Sequence, residues 1–342
     1  METKKEGFPA AFWVCACTEI FERLAYYLGR SLILIFVTAS VATGALGLSD
    51  TVAANMQSNL TAFSYLLPLF GAVIVDKYIG ARYTTPVGMF IAAAGYFTGG
   101  IAKSSAGVYA MIFLVSLGLA LFKNGAIIGR VITDKSQMDP AFSMRYTLVN
   151  VGAFIGTFLV GILYKDVFAK DGVLGFAPCF KMAALMMVLG GLWYIFVCWR
   201  FLGDLGKLPF KKTLTEEEKA AEAKKKEETG TKQPLTTIEK KRIGAIFVAS
   251  LFSIVFWIFW YLGYMPVYFY WAENMDWVVA GYQVPSTWFD AANSLFCVIP
   301  GTCNSGIMEE TGGKTAGGYE SVQKDRTWNC DHRCRISLLR SN

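Results

Sequence analysis

Four ionisable residues lie within one apolar run near the start of the chain, and their types suit proton transfer or the binding of a charged solute. They are Glu19, Glu22, Arg23 and Arg30. Each costs roughly 2.5–3.5 kcal/mol at the centre of a bilayer, so such charges persist where they pair or face water. Their spacings of three, four and seven residues place them on one stripe of a helix. The stripe predicts a water-lined path; the alternative is an ion-pair cluster that only fixes packing.

Other polar residues in apolar surroundings extend this set. Tyr26 and Tyr27 add hydroxyl groups close to the charged stripe. Lys123 stands alone in an apolar run, and we expect it to pair with Glu19 or Glu22 unless it extends to the membrane surface. Asn150 lies among small residues, where an asparagine serves equally well as a ligand contact or as an interhelical hydrogen-bond donor.

Enzyme chemistry is not expected. His332 is the single histidine, which argues against a Ser-His-Asp triad or a multi-histidine metal site. Cys330, His332 and Cys334 together are too few and too isolated to predict a metal site. The cysteines in or beside apolar runs are expected to be small core residues; they are Cys15, Cys17, Cys179, Cys198 and Cys297. We therefore expect no metal and no cofactor.

The elements that must position these residues are membrane-spanning helices. Hydrophobic residues make up 54% of the 342 residues and charged residues only 17%, below the quarter usual in soluble domains. Apolar runs recur at the length that crosses a bilayer as a helix. They are Ala11–Thr38, Val52–Val75, Thr84–Ala102, Ala106–Ile127, Phe142–Tyr164, Pro178–Phe201 and Ile243–Trp271, and an eighth begins near Ser286 and stops at Pro300. The fold class is therefore an all-α integral membrane protein.

The lysines and arginines of the short loops predict the orientation. Apart from the fifth loop, which carries Lys165 and Lys170, they place the N-terminus and the even-numbered loops in the cytoplasm. In the second loop, between the second and third predicted helices, Asp76 and Arg82 are spaced so that an ion pair could join two helix ends. Nucleic-acid and protein partners are not indicated, because the net charge of +6 is concentrated in one segment and in short loops.

The pattern divides the chain into four parts. Residues 1–202 hold six helices, and residues 203–242 form a charged cytoplasmic linker. Residues 243–300 begin a second bundle with about two helices, the second of them incomplete, and residues 301–342 are hydrophilic. Six helices, a cytoplasmic linker and further helices are typical of two-bundle transporters.

At these residues the sequence resembles the proton-coupled oligopeptide transporter family of the major facilitator superfamily. The first-helix signature reads Glu19-Ile-Phe-Glu22-Arg23, followed by Tyr26-Tyr27 and Arg30. Further matches lie on later helices, in the family's order: Tyr65, Lys123, the stretch from Tyr146 to Gly152, Thr287-Trp288-Phe289 and Asn293. The likeness covers about residues 7 to 300.

The resemblance implies a complete N-terminal six-helix bundle and a partial C-terminal bundle of the major facilitator fold, in the cell membrane. It implies symport of protons with di- or tripeptides by alternating access. Proton coupling would fall to Glu19, Glu22, Arg23 and Lys123, and the substrate would be bound by Arg30, Tyr26, Tyr27, Tyr65, Asn150 and Asn293. Two other classes stay open, namely a carrier of a non-peptide anion or small organic solute, and a non-transporting membrane fragment or interaction protein.

The sequence departs from the family's pattern on the seventh helix. The family usually carries a glutamate there, whereas Trp260 and Tyr261 occupy that neighbourhood and no acid lies between Ile243 and Trp271. In the family this acid gates the cavity against the first-helix arginine, so the substrate, the coupling or both are expected to differ. Leu28 also replaces the usual glycine after the tyrosine pair. The helical hairpin that many bacterial members carry between the bundles is absent, since the linker is too polar for it.

The last part of the chain, residues 301–342, lacks the apolar runs that the family continues with. Read one nucleotide forward, the codons from Met308 force a tryptophan and two basic residues, and those from Asn329 to Arg333 force apolar residues or threonine. That order is typical of a helix end, a loop and a new spanning helix. We interpret the tail as frameshifted near Gly301; the alternative is a genuine short form with a hydrophilic tail.

Overall fold

The computed structural model describes residues 7–134, 137–209, 237–262, 270–271 and 273–298. The tail from Gly301, with His332 and its neighbouring cysteines, lies outside the described residues, as does most of the charged linker. Expectations for those parts therefore remain predictions.

The described chain is dominated by long helices that lie in the predicted runs. In chain order they are α1 Ala10–Thr38, α2 Asp50–Lys77, α3 Ala81–Ile101, α4 Ser105–Leu121, α5 Asn124–Val131, α6 Met138–Ile162, α7 Phe176–Trp193, α8 Trp199–Leu202 and α9 Thr237–Leu262. A last helical stretch, α10, spans residues 287–298. A short antiparallel hairpin, β1 Val278–Val279 and β2 Tyr282–Gln283, precedes it. Five stretches of the described residues are long and apolar enough to cross a membrane.

The fourth predicted run, Ala106–Ile127, lies within one stretch that is long and apolar enough to span a membrane, Ser105–Val131, but its helix is interrupted. It is divided into α4 and α5, because the backbone of Phe122 and Lys123 leaves the helical conformation. Lys123 and Asn124, at the break, hydrogen-bond to α2 and α1 respectively. An apolar pattern cannot show such a break, since both halves are equally hydrophobic.

Helix α1 is the centre of the first six predicted spans. It packs against α2, α5, α6 and α7, while α3 packs against α4 and α7 and α2 against α4. Between α3 and α4, Gly88 and Gly118 bring the backbones so close that a Cβ on either would collide with the carbonyl oxygen of the other. Two apolar clusters fill the interior, one around Leu32 and Tyr96 and one around Phe12 and Tyr194. Of the five cysteines expected in the core, Cys15, Cys179 and Cys198 are buried and Cys17 and Cys297 half-buried.

Arg82 does not pair with Asp76 as the sequence predicted. Its guanidinium instead donates to the carbonyl oxygens of Gly203 and, at 2.8 Å, of Trp199. Trp199 in turn donates from Nε1 to the carbonyl oxygen of Arg82 at 3.2 Å. The arginine thus satisfies carbonyl groups at a helix C-terminus, where a cation is favoured. Nearby on the surface, Lys207 holds the pKa of Asp204 below its usual value by a hydrogen bond.

Among the described residues, the part after the linker contacts the first part through the hairpin and α10 and through Tyr261 of α9. Trp288 of α10 stacks on Phe158 of α6 with ring centroids 4.7 Å apart, and its Nε1 donates to the Phe158 carbonyl oxygen at 3.1 Å. These contacts belong to a surface that we call the inter-half interface, in which residues 158–166 contact residues 282–288. Over most of its length α9 is exposed, which suits a helix surrounded by lipid.

Candidate functional site

The two glutamates of α1 are buried and each has an arginine partner. Glu19 is 1% exposed and Glu22 0%. Arg23 binds Glu22 with two hydrogen bonds, one of them 2.7 Å from Nη2 to Oε1. Arg145, on α6, contacts Glu19 with Nε and Nη2, each 2.9 Å from Oε1. Two buried carboxylates are thus held by cations from two helices, an arrangement in which loss of either charge is costly.

Two residues of this cluster were not anticipated. Arg145 lies within the predicted span Phe142–Tyr164, yet it was not among the charges singled out from the sequence. Asn124 is buried, and its Nδ2 donates to the carbonyl oxygen of Cys15 at 2.8 Å and to Glu19 Oε1 at 3.1 Å. The available signal was a charge or an amide inside an apolar run, which is the signal that singled out Lys123.

Lys123 does not pair with Glu19 or Glu22, so that expected contact is wrong. Its Nζ donates to the carbonyl oxygen of Pro68 in α2 at 3.0 Å. Among the described residues, Lys123 has no carboxylate oxygen within ion-pair distance. Because Lys123 lies at the helix break, its side chain points toward α2. Glu19 pairs with Arg145 instead.

A second polar group surrounds Arg30, eleven residues further along α1 than Glu19. Arg30 is 7% exposed, and its guanidinium carbon lies 6.0 Å from the ring centre of Tyr27 and 5.9 Å from that of Tyr261. The hydroxyl of Tyr261 donates to that of Tyr65 at 2.9 Å. Tyr261 stands where an acid was expected. Its ring contacts Arg30 and its hydroxyl group bonds to Tyr65, so a residue after the linker contributes to this polar group.

Three of the predicted site residues lie less centrally. Tyr26 is buried beneath Arg23, whose guanidinium carbon is 5.0 Å from the ring centre. Asn150 donates to the carbonyl oxygen of Tyr146 in its own helix at 2.9 Å. Asn293, on α10, accepts a weak bond from Cys297 with Sγ 3.9 Å away. The structure thus brings Glu19, Glu22 and Arg23 together and leaves the two asparagines in contacts within their own helices.

A small cavity of about 20 Å³ adjoins Arg30, and its lining includes two residues that the sequence analysis missed. The cavity is enclosed by Tyr27, Arg30, Ser31, Leu34, Gln57, Thr287 and Asp290. Gln57 and Asp290 belong to no motif of the resemblance, although each is an amide or a charge inside a predicted apolar run. Within the described ranges, no three residues with metal-ligating side chains lie close enough to hold a metal ion.

The comparisons with known proteins agree with this architecture. Residues 23–299 match the family described as Major Facilitator Superfamily. Dipeptide and tripeptide permease A of Pectobacterium carotovorum is 25% identical over 208 residues, which are 59% of this chain and 38% of the permease. The chain thus spans well under half of that relative.

Solved structures of peptide transporters share the fold. A crystal structure of a POT peptide transporter bound to alafosfalin has a TM-score of 0.75 and 22% identity, over 91% of this chain and 70% of that one. A POT family transporter bound to 5-aminolevulinic acid has a TM-score of 0.67 and 20% identity, over 90% of this chain and 72% of that one.

The fold and the family match define a multi-pass membrane transporter protein rather than an enzyme. The chain belongs to the major facilitator superfamily. The predicted fold class is confirmed, and so is the resemblance to the peptide transporters of that superfamily.

Proposed function

We propose that this protein takes part in proton-coupled symport of di- and tripeptides by alternating access. The single observation that carries the proposal is the pair of buried glutamates on α1, each bound to an arginine. A spanning helix holds such costly charges where they can exchange protons or bind a charged solute. The likeness to a dipeptide and tripeptide permease supports a peptide as that solute.

In the proposed cycle, Glu22 and Glu19 accept protons while the cavity is open to one side of the membrane. Protonation removes a negative charge and releases the partner arginine, which can then bind the carboxylate of a peptide. Arg30, Lys123 and the tyrosine group Tyr27, Tyr65 and Tyr261 would contribute further contacts to the substrate. Proton and peptide would then cross together when the two halves change their contacts.

The cell membrane is the proposed location, with the N-terminus in the cytoplasm. The support is the distribution of lysine and arginine among the short loops. In this orientation the inter-half interface lies toward the outside, because residues 158–166 lie at the end of the fifth span, which leads into an odd-numbered loop.

A carrier of a small non-peptide solute is the second candidate function. The observation that favours it is Tyr261, an aromatic residue at the place of the expected acid, which removes one charge from the site. One solved relative of the same fold is bound to 5-aminolevulinic acid, a small molecule. A site with an arginine and a lysine suits any solute that carries a carboxylate.

Uptake by proteoliposomes tests these proposals. Vesicles containing the protein receive a labelled dipeptide with an inward proton gradient, without a gradient, or with a gradient and a proton ionophore. We expect accumulation only with the intact gradient, and less of it when unlabelled dipeptide competes. Accumulation of labelled 5-aminolevulinic acid but not of dipeptide would favour the second candidate. If neither the dipeptide nor 5-aminolevulinic acid accumulates, although the protein elutes as a single species, the result would favour a non-transporting fragment.

A further inference from the structure

The small cavity beside Arg30 is lined by buried oxygen atoms that lack a hydrogen-bond partner. Gln57 on α2 is 4% exposed and Thr287 on α10 2%, and in the described part of the chain Gln57 Oε1 and Thr287 Oγ1 bond to nothing. The amide oxygen of a glutamine can only accept hydrogen bonds, and a threonine hydroxyl can accept as well as donate. Two such atoms at one cavity therefore indicate a ligand that donates hydrogen bonds there.

A carboxylate lines the same cavity. Asp290 is half-buried and follows Thr287 by three residues on α10. Among the described residues, no lysine or arginine nitrogen lies within ion-pair distance of its oxygens. An ionised carboxylate only accepts hydrogen bonds, and its partial burial is costly unless a cation or strong donor binds it. The cavity thus presents a negative charge beside two uncharged oxygens.

The size and the charge of the cavity fit a primary ammonium group. A volume of about 20 Å³ holds one group the size of a water molecule. A primary ammonium has this size, and it offers three N–H donors and no acceptor, which matches the three oxygen-bearing side chains. Arg30 also lines the cavity, so its charge opposes an isolated cation and favours a molecule that carries a carboxylate as well. A water molecule would fit the volume but would bring no charge to Asp290.

The cavity lies apart from the buried glutamates and next to the inter-half interface. Arg30 follows Glu19 by eleven residues of α1, which is about 16 Å along a helix. Thr287 lies so close to Gly161 of α6 that a Cβ on the glycine would approach its Oγ1 to 2.7 Å. In the proposed orientation this end of the molecule faces the outside. A solute that enters from there would reach the cavity before it reaches Glu19.

We propose that Asp290, Gln57 and Thr287 form a binding site for the primary ammonium group of the solute, on the outer side of the glutamate pair. The proposal rests on the proposed transport function and narrows its substrates to solutes that carry both a free amine and a carboxylate. Unblocked dipeptides and 5-aminolevulinic acid meet this requirement. A dipeptide with an acetylated amine does not, and the site should reject it.

The rate of cysteine labelling tests the site without relying on transport. Ser31 lines the cavity, and Ser31→Cys leaves the three proposed ligand residues unchanged. The purified chain in detergent is treated with 2-aminoethyl methanethiosulfonate, which carries a primary ammonium, or with the neutral methyl methanethiosulfonate. Mass spectrometry measures the reaction rate at position 31 with each reagent. The same ratio of rates at Val41→Cys, in a loop and 68% exposed, is the reference.

The proposal predicts that the ratio of aminoethyl to methyl labelling at Ser31→Cys exceeds the reference by at least about fivefold. Asp290→Asn, which keeps the size of the side chain, should lower the ratio to the reference value. Gln57→Leu should lower it by about twofold to threefold, since one acceptor is lost but the charge remains. Glu273→Gln, at an exposed acid of the same half, should leave it unchanged.

Protection from labelling connects the site to the solute. Unlabelled Ala-Ala should slow the reaction of the aminoethyl reagent with Ser31→Cys, whereas N-acetyl-Ala-Ala at the same concentration should not. Asp290→Asn should remove the protection by Ala-Ala. Equal protection by the two dipeptides would show that the amine is not bound at this cavity and would overturn the proposal.

Two labelling results would also overturn it. One is an Asp290→Asn protein whose ratio equals that of the unmodified residue; if this variant does not elute as a single species, Gln57→Leu is judged in the same way. The other is a Ser31→Cys protein that reacts with neither reagent while Val41→Cys reacts fully, because a cavity closed to an aminoethyl group cannot receive a solute. A protein with the predicted ratio that accumulates no dipeptide fails the transport function alone.

Discussion

The two glutamates of α1 have different partners. Glu22 is bound by its neighbour Arg23, while Glu19, three residues earlier, is bound by Arg145 of another helix. One pair is local and can dissociate without moving a helix. The other joins α1 to α6, so a change in the charge of Glu19 alters an interhelical contact. The two glutamates are therefore expected to differ in what they couple to.

Glu22→Gln should abolish proton-driven accumulation of substrate and spare counterflow exchange. An uncharged amide has a similar shape but cannot carry a proton from one side of the membrane to the other. The measurement is uptake and exchange of labelled dipeptide in proteoliposomes, with Asp204→Asn, at an exposed acid, as the matched control. Uphill accumulation by Glu22→Gln would assign the proton to another group.

Arg145→Gln should destabilise the protein, because Glu19 is left buried without its cation. The cost is expected to be about 1–3 kcal/mol, since the arginine is partly exposed and Asn124 still donates to the carboxylate. Thermal unfolding in detergent measures it, and Arg200→Gln, at an exposed position, is the control.

The double variant Glu19→Gln with Arg145→Gln should recover most of the stability that Arg145→Gln loses, because neither of the two side chains then carries an unpaired charge. A double variant as unstable as Arg145→Gln alone would show that the arginine acts through its packing on α6 and not through its charge.

Lys123→Ala should reduce transport severely if the lysine contributes to the site as the sequence analysis predicted. In the structure the lysine holds Pro68 of α2, so its loss also frees a carbonyl oxygen beside the helix break. Initial uptake rates compared with those of Lys103→Ala, a loop lysine, provide the measurement. An unchanged uptake rate would show that Lys123 forms the hydrogen bond to Pro68 but does not contribute to transport.

At the level of the helices, hydropathy predicted where each span lies but not how its polar residues pair. The predicted runs reproduce α1, α2, α3 and α6 to within four residues at each end, because an apolar stretch of spanning length has few other structures available in lipid. The break before α5 and the Arg145–Glu19 contact depend on neighbouring helices. A single sequence carries no record of which helices are neighbours.

For the candidate site too, the sequence predicted several of the charged residues but not the residues that they meet. Glu19, Glu22 and Arg30 stood out as charges inside an apolar run, whereas Asp290 lies near the start of a shorter run whose end is not described. Gln57 is uncharged and falls in no motif. Their role around the cavity follows from the folding of α2 and α10 against α1, which a pattern along one segment cannot show.

The close contact between α1 and α6 gives a prediction on stability. A Cβ at Gly156 would lie 2.5 Å from the carbonyl oxygen of Leu24, so Gly156→Ala must push the two helices apart. We expect a loss of about 1–3 kcal/mol, as for other overpacked positions. Gly244→Ala is the control, because nothing lies within 4 Å of that glycine. Equal unfolding temperatures for the two variants would contradict the tight α1–α6 contact.

For the whole molecule, the distribution of basic residues predicts the orientation in the membrane. Val41 is 68% exposed in the loop between α1 and α2, and Lys207 lies in the segment after α8. In right-side-out vesicles, a thiol reagent that cannot cross the membrane should label Val41→Cys and leave Lys207→Cys unlabelled until the vesicles are opened. The reverse pattern would place the N-terminus outside.

The contact of Lys123 with a backbone carbonyl has an electrical consequence. In the described part of the chain the carboxylates of α1 each face an arginine, whereas Lys123 donates to the Pro68 oxygen and forms no ion pair. If that lysine stays in place during the proposed cycle, a proton that enters with an uncharged peptide carries one positive charge across the bilayer. A membrane potential, negative inside, contributes about 2.3 kcal/mol per charge for each 100 mV. Uptake by the proposed mechanism would thus be driven by voltage as well as by acidity, and an imposed potassium diffusion potential, negative inside, should increase the accumulation that a proton gradient drives.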